Sequence, residues 1–263
     1  MREPFAKKYG PTALIAGASE GLGAAFAEAA AKRGLDLCLV ARRADALEDL
    51  AKKIRAEHAV AVKVVPLDLA SPTLAGDARQ AIEGLEVGLL VYNAAASLIG
   101  PFLEQSIEDK LRIIDVNCRG PLVLADVVGR GMLARRRGGI VLMSSMVATQ
   151  GGPFIATYSA SKAFNLVLAE GLWDELRGSG VDVLACRAGA TRTPAYERSK
   201  PASNQGPMME PGPVAEQALD ALGSGPSMVP GIANRLAALA MQRVLPRRAA
   251  VATMGKAMRK MYR

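Results

Sequence analysis

The sequence predicts a single α/β domain built on a doubly wound parallel sheet, with helices on both faces. Three observations predict it. Short apolar segments alternate with helical segments along most of the chain. The apolar segments are nearly continuous rather than alternating in and out, so each needs cover on both faces. The 263 residues are 50% apolar, enough core for one domain of this size, and no linker-like stretch divides them.

Taken in order, Thr12 to Ala16 reads as a first strand, followed by a Gly-rich turn and an Ala-rich helix from Gly21 to Arg33. Gly34 supplies its C-terminal stop. Leu35 to Ala41 is the second strand and Ala44 to Glu57 the second helix. Val60 to Pro66, a helix over Pro72 to Glu83, and Val87 to Tyr92 come next. A long helix is predicted from Ser106 to Arg135, broken near Gly120-Pro121. Gly139 to Met143 is strand five, Thr157 to Arg177 a helix, and Val181 to Cys186 strand six. Residues 190–213, rich in Pro, Ser, Gly and Met, read either as a substrate loop or as disorder. A short helix over Val214 to Leu222 and a strand over Ser227 to Val229 close a dinucleotide-binding body spanning 1–230. Residues 231–263 form a basic helical extension.

Composition excludes several function classes. The single histidine, His58, follows charged helical sequence and reads as a surface residue. Cys38, Cys118 and Cys186 are scattered in apolar stretches and read as buried thiols in a reducing compartment. No metal-ligand spacing and no histidine-based triad can be assembled, so no metal is expected. The charged N-terminal segment has no apolar stretch of signal-peptide length, and no run of about 18 apolar residues occurs. A cytoplasmic location is the expectation. The formal net charge of +8 is carried by the extension, with eight Lys or Arg and no acid after Gly231; the first 230 residues balance at 25 basic and 25 acidic.

The first turn, Ala16-Gly17-Ala18-Ser19-Glu20-Gly21-Leu22-Gly23, lies between a strand and a helix. Glycines there permit a tight turn and close approach of backbone to a pyrophosphate, and the helix N-terminus offers unpaired N–H groups. That is the Rossmann-like arrangement, though its usual fingerprint spaces the glycines differently. After strand two, an NAD site usually presents a carboxylate to the ribose 2′-hydroxyl. Here the chain presents Arg42 and Arg43. A guanidinium pairs with a 2′-phosphate, so NADP(H) is the expected cofactor and NAD(H) the second choice, with Arg42 ranked before Arg43.

Ser144-Ser145 follow strand five, and Tyr158 and Lys162 lie four apart on a helix, hence on one face. A phenol titrates near 10 and is a poor acid or base at neutral pH; a nearby cation lowers it. Such a pair can give a proton to a carbonyl oxygen or take one from an alcohol, with Ser145 holding the reacting oxygen.

On these motifs the sequence resembles the short-chain dehydrogenase/reductase family over Thr12 to Thr193. The resemblance is carried by Gly17, Gly21 and Gly23, by Asp68 before Leu69, by Asn93-Ala94-Ala95, and by Asn117, Ser145, Tyr158 and Lys162. It implies that Ser19, Leu22, Asp68, Leu69 and Asn93 line the cofactor site, with Asp68 at the adenine. It implies that Asn117 fixes a helix bulge and a proton-relay water, and that Lys162 also holds the nicotinamide ribose. Gly189, Thr191 and Thr193 match the segment that contacts the carboxamide; Thr193 also reads as a plain helix cap before Pro194. Ala16, Ala95 and Ala188 stand where the family usually has Thr, Gly and Pro.

In the extension, Val251, Met254, Ala257, Met258 and Met261 share one side of a helix and Lys256, Arg259, Lys260 and Arg263 the other. Docking on the domain or on a second subunit is the first reading, and contact with an anionic membrane surface the second. Nucleic acid is not an expected partner, because no recognised module or aromatic platform is present. The expected function is reversible hydride exchange between NADP(H) and an apolar ketone or alcohol (3-oxoacyl, steroid-like, retinoid-like or simple) in a homodimer or homotetramer. The alternative is a non-catalytic NADP(H)-binding regulatory or membrane-surface scaffold protein with the same fold.

Overall fold

The computed structural model describes residues 4–199 and 208–262. Its centre is a seven-stranded parallel sheet of β1 (Thr12–Ala16), β2 (Asp36–Ala41), β3 (Val62–Pro66), β4 (Val87–Tyr92), β5 (Gly138–Ser145), β6 (Val181–Ala188) and β7 (Ser227–Met228). The spatial order is β3-β2-β1-β4-β5-β6-β7. The chain therefore reverses direction across the sheet between β1 and β4, and the crevice beyond their carboxyl ends is where such sheets bind ligands.

Alternate residues of each strand feed two cores. Ala13, Ile15, Leu37 and Leu39 face α2 (Gly21–Lys32), α3 (Ala44–Glu57) and α9 (Pro211–Ala221). Leu14, Ala16, Cys38 and Val40 face the side covered by α4 (Leu74–Ala81), α6 (Gly120–Arg135) and α7 (Ala156–Glu175). All five residues of β1 are buried, as continuous apolar strands require. Gly34, at φ +79, ends α2 in the left-handed conformation. His58 ends α3 half-buried, and Cys118 is also half-buried, while Cys38 and Cys186 are buried.

Several boundaries differ from expectation for identifiable reasons. β5 runs on to Ser145 because Ser144 and Ser145 still pair with Arg187 and Ala188 of β6. The long helix breaks earlier than Gly120-Pro121. It comprises α5 (Ile107–Ile114), a π-helical turn over Asp115–Arg119, and then α6, whose first amide, that of Gly120, reaches back five residues to the Asp115 carbonyl. The buried Tyr92 hydroxyl donates to the Val116 carbonyl at 2.6 Å. Gly120 permits that approach, since a Cβ there would sit 2.1 Å from the Tyr92 oxygen. The bulge turns Asn117 inward.

Three helices are not individually predicted by the sequence. α1 (Phe5–Tyr9) docks under the sheet, where the Tyr9 hydroxyl donates to Asp182 at 2.6 Å. α8 (Pro194–Arg198) opens the predicted substrate loop, of which residues 200–207 lie outside the described residues. α10 (Ile232–Leu239) runs into a π-helical turn over Ala240–Val244, ahead of α11 (Arg247–Tyr262). The expected tail helix is α11, and it packs on its own domain. The buried line is Ala250, Gly255 and Met258, with Met254, Met261 and Tyr262 half-buried; Val251 and Ala257, expected on the apolar face, are exposed. Only the buried side meets the body, so Met258 contacts Gly152 while Val251 and Ala257 face away.

Candidate active site

A cleft of about 840 Å3 opens at the carboxyl ends of β1, β2, β4, β5 and β6. It is lined by Gly17, Ser19, Gly21 and Leu22 of the first turn, Arg42 and Arg43 after β2, and Asp68 and Leu69 after β3. Asn93 follows β4, Ser145 ends β5, Tyr158 and Lys162 come from α7, and Gly189, Thr191 and Thr193 follow β6. Gly23 and Asn117 lie behind this lining and shape it from the second layer.

The first turn is shaped for a close ligand. Gly17, at φ +83, could carry no side chain, since its Cβ would stand 2.6 Å from the Ala94 backbone. A Cβ on Gly23 would stand 1.9 Å from the Gly17 carbonyl oxygen. The Asn93 amide donates to that same oxygen at 3.1 Å and locks the turn to the end of β4. The Asn93 and Ala94 amides both donate to the Ala16 carbonyl at 2.9 Å, so the position where the family pattern has Thr is tied down through its backbone.

Two arginines mark the outer end. Arg43 donates to Ser19 Oγ at 3.2 Å and to Glu20 at 2.7 Å. Arg198 of α8 also pairs with Glu20, and the two guanidinium groups hold that carboxyl below its usual range. Arg42 is exposed at the cleft edge and enters no ion pair among the described residues. Asp68 accepts from the Ala70 amide at 3.0 Å and from Arg112 at 3.1 Å. The contact with Arg112 had no signature in the sequence.

At the inner end, Tyr158 and Ser145 both line the cleft, and Ser145 lies close enough to favour the ionised phenol. Lys162 is buried, its Nζ donating to the Met143 carbonyl at 3.0 Å and lying 5.6 Å from the Tyr158 ring centre. Ser144 Oγ donates to the Lys162 carbonyl at 2.8 Å, fixing α7 against β5. Asn117 donates to the Ala96 carbonyl and to Ser161 Oγ, each at 2.9 Å, and its Oδ1 accepts from the Ala96 amide at 2.7 Å. Thr193 lines the cleft and also caps α8, its Oγ1 accepting from the Tyr196 amide at 3.2 Å.

The electrostatics differ from expectation in one respect. Burial pushes the Tyr158 phenol up to about 12, opposed by nearby Ser145 and assisted by the neighbouring Tyr262. Burial also draws the Lys162 ammonium down to about 8. Both shifts follow from burial, which disfavours the charged form of each group, and the Lys162 ammonium is aimed at the Met143 carbonyl rather than at the phenol. Burial thus lowers the Lys162 ammonium towards the neutral range and raises the Tyr158 phenol away from it.

One side of the cleft has no signature in the sequence. Met258, Met261 and Tyr262 of α11 and Tyr196 of α8 line the cleft above Tyr158, with Ile155 beside them. The Met periodicity of the tail showed an apolar face but not what it would cover.

A family model for short chain dehydrogenases matches residues 11–204. The chain belongs to the short-chain dehydrogenase family. This short-chain dehydrogenase is an oxidoreductase acting on alcohol and carbonyl groups. It is 32% identical over 234 residues to a 7beta-hydroxysteroid dehydrogenase of Clostridium sardiniense, covering 88% of this chain and 89% of that one. A structure reported under 7beta-hydroxysteroid dehydrogenase stereoselectivity superposes with a TM-score of 0.89 at 30% identity, covering 96% and 99% of the two chains. A short-chain dehydrogenase from Sphingobium yanoikuyae in complex with NADPH superposes at 0.77 with 35% identity, covering 87% and 92%.

Proposed function

We propose that this protein reduces a bulky, apolar ketone with NADPH, and oxidises the matching alcohol in reverse. The observation that carries the reading is one cleft lined both by Tyr158, Ser145 and Lys162 and by the apolar Met258, Met261 and Tyr262. The cleft volume lies within the range of about 300–1,000 Å3 usual for small-molecule and cofactor sites, and its glycine turn has no room for side chains at Gly17 or Gly23. The residues present fit a dinucleotide. Gly17, Ser19, Gly21 and Leu22 would hold the pyrophosphate, Asp68 and Leu69 the adenine, and Arg42 the 2′-phosphate with Arg43 beside it. Asn93, Gly189, Thr191 and Thr193 would hold the nicotinamide end. The bound dihydronicotinamide supplies a hydride, an electron pair with its proton, to the carbonyl carbon.

The chain's own residues handle the oxygen. Ser145 donates to the carbonyl oxygen and orients it. Tyr158 gives its proton to that oxygen as the hydride arrives. Lys162 keeps a positive charge beside the phenol and steadies the phenolate left behind. Asn117 holds the π-bulge and the loop at Ala96, so that floor and cofactor wall keep their spacing.

A pH profile follows. For reduction, kcat/KM should fall as pH rises through about 8, where Lys162 loses its proton; oxidation should rise over the same range. Stopped-rate assays in both directions check this, and Lys162→Arg should move the descending limb upward.

The apolar roof and the similarity to a hydroxysteroid dehydrogenase both favour a rigid polycyclic substrate. Met258→Ala with Met261→Ala should raise KM for steroid ketones by about tenfold and leave small ketones within about twofold, as lost apolar contact predicts. A panel of steroid, alicyclic, 3-oxoacyl and small ketones, followed by NADPH absorbance with NADH as control, tests the assignment. Turnover confined to small polar carbonyls would overturn it. The exposed apolar side chains of α5 and α7, Ile107, Leu111, Phe164 and Val167, support a homodimer through that face.

A further inference from the structure

The extension carries a second apolar face that the cleft does not use. Ile232, Leu236 and Leu239 of α10 follow i, i+4 and i+7, lie on one side of the helix, and are 76%, 64% and 54% exposed. Val244, in the π-helical turn that follows, is 72% exposed. The opposite side of α10 is anchored. Ala238 is buried, and Asn234 donates to the Pro230 carbonyl at 3.0 Å. The outward side chains therefore stand on a fixed helix.

Within the extension itself the charge has one sign. Arg235, Arg243, Arg247, Arg248, Lys256, Arg259 and Lys260 are all exposed, and no acidic residue occurs after Gly231. None of these cations forms an ion pair with a described carboxylate. The excess charge of the sequence thus lies in the same extension as this exposed aliphatic helix.

We propose that α10 seats this protein on an anionic lipid surface, with Ile232, Leu236 and Leu239 entering the headgroup–acyl boundary and the flanking arginines meeting lipid phosphates. An interfacial helix needs both an apolar face and basic flanks, and the extension supplies both. A second copy is the weaker occupant. A two-fold contact would bring each basic patch against its own image, whereas the face on α5 and α7 carries no such excess. Among the described residues no helix is long and apolar enough to cross a membrane, so the contact is with the surface. The face expected to touch lipid from the sequence, the Met side of α11, is occupied by the domain; the lipid face lies one helix earlier. The inference is independent of the substrate reading, since vesicle binding does not depend on which ketone is reduced.

The test is co-sedimentation of the full chain with vesicles of phosphatidylcholine alone or mixed in equal parts with phosphatidylglycerol. Wild type should sediment with the mixed vesicles, not with phosphatidylcholine alone, and high salt should release it. The triple variant Ile232→Ser, Leu236→Ser, Leu239→Ser keeps every charge. Its partition should drop by about tenfold or more, with NADPH-dependent activity on a water-soluble ketone unchanged. The pair Arg243→Gln, Arg248→Gln should weaken binding without touching the apolar stripe. Wild type left in the supernatant overturns the proposal. So does equal sedimentation of wild type and triple variant, or a fall in the triple variant's mass by light scattering, which would assign the face to subunit contact.

Discussion

Replacing Tyr158 with Phe is expected to lower kcat for ketone reduction by about 10²–10⁴-fold, the usual contribution of a positioned proton donor. That corresponds to about 3–5 kcal/mol of transition-state stabilisation. The change removes one oxygen and keeps the ring. The ring still lies beside Lys162, whose ammonium is held by the Met143 carbonyl rather than by the phenol. Packing of α7 on β5 should survive, because it rests on Ser144, Lys162 and the main chain. NADPH affinity, measured by fluorescence titration, should therefore change by less than about threefold. A Phe variant that turns over at the wild-type rate would remove Tyr158 from the proposed chemistry. One that also loses NADPH would show that the hydroxyl was structural.

The second large effect is expected at the other end of the cleft. Arg42→Ala should raise KM for NADPH by about 10–100-fold and leave KM for NADH nearly unchanged, because hydrogen bonds to charged groups contribute about 1.5–3 kcal/mol each. Arg43→Ala should do less. Arg43 is already engaged by Ser19 and Glu20, whereas Arg42 has no ion-pair partner among the described residues and stands at the cleft edge. The split between the two cofactors distinguishes loss of a phosphate contact from loss of fold, which would affect both. Wild-type enzyme that prefers NADH, or an Arg42 variant with an unchanged cofactor ratio, would contradict the reading of this corner.

Much of the frame was legible because parallel strands buried on both faces leave an unmistakable apolar run. The whole of β1 and β4 and the span of α3 coincide with the sequence reading, since Thr12–Ala16, Val87–Tyr92 and Ala44–Glu57 are bounded by sharp changes in polarity. The cleft lining was legible where chemistry demands a residue type at a strand end: the glycine turn, Arg42, Ser145, and the pair on α7. Asn117 was placed by resemblance; its cause is visible only in three dimensions, in a π-turn that Tyr92 and Gly120 jointly permit. The roof was not legible. That Met258 and Tyr262 would settle over Tyr158 depends on the path of α10 and the turn after it, and neither carries a motif. The direction of the Tyr158 shift was also misjudged, because spacing shows a nearby cation but not how poorly both groups are solvated.

The most direct test follows the hydride itself. NADPH deuterated at C4 is incubated with a steroid ketone, and the product alcohol is read by mass spectrometry and NMR. The mechanism predicts one deuterium on the carbinol carbon with the wild-type protein, and almost none in the same time with the Tyr158→Phe variant. NADPH that binds tightly yet transfers no label to any ketone of the panel would contradict it, and would make this chain a binding protein on a dehydrogenase fold.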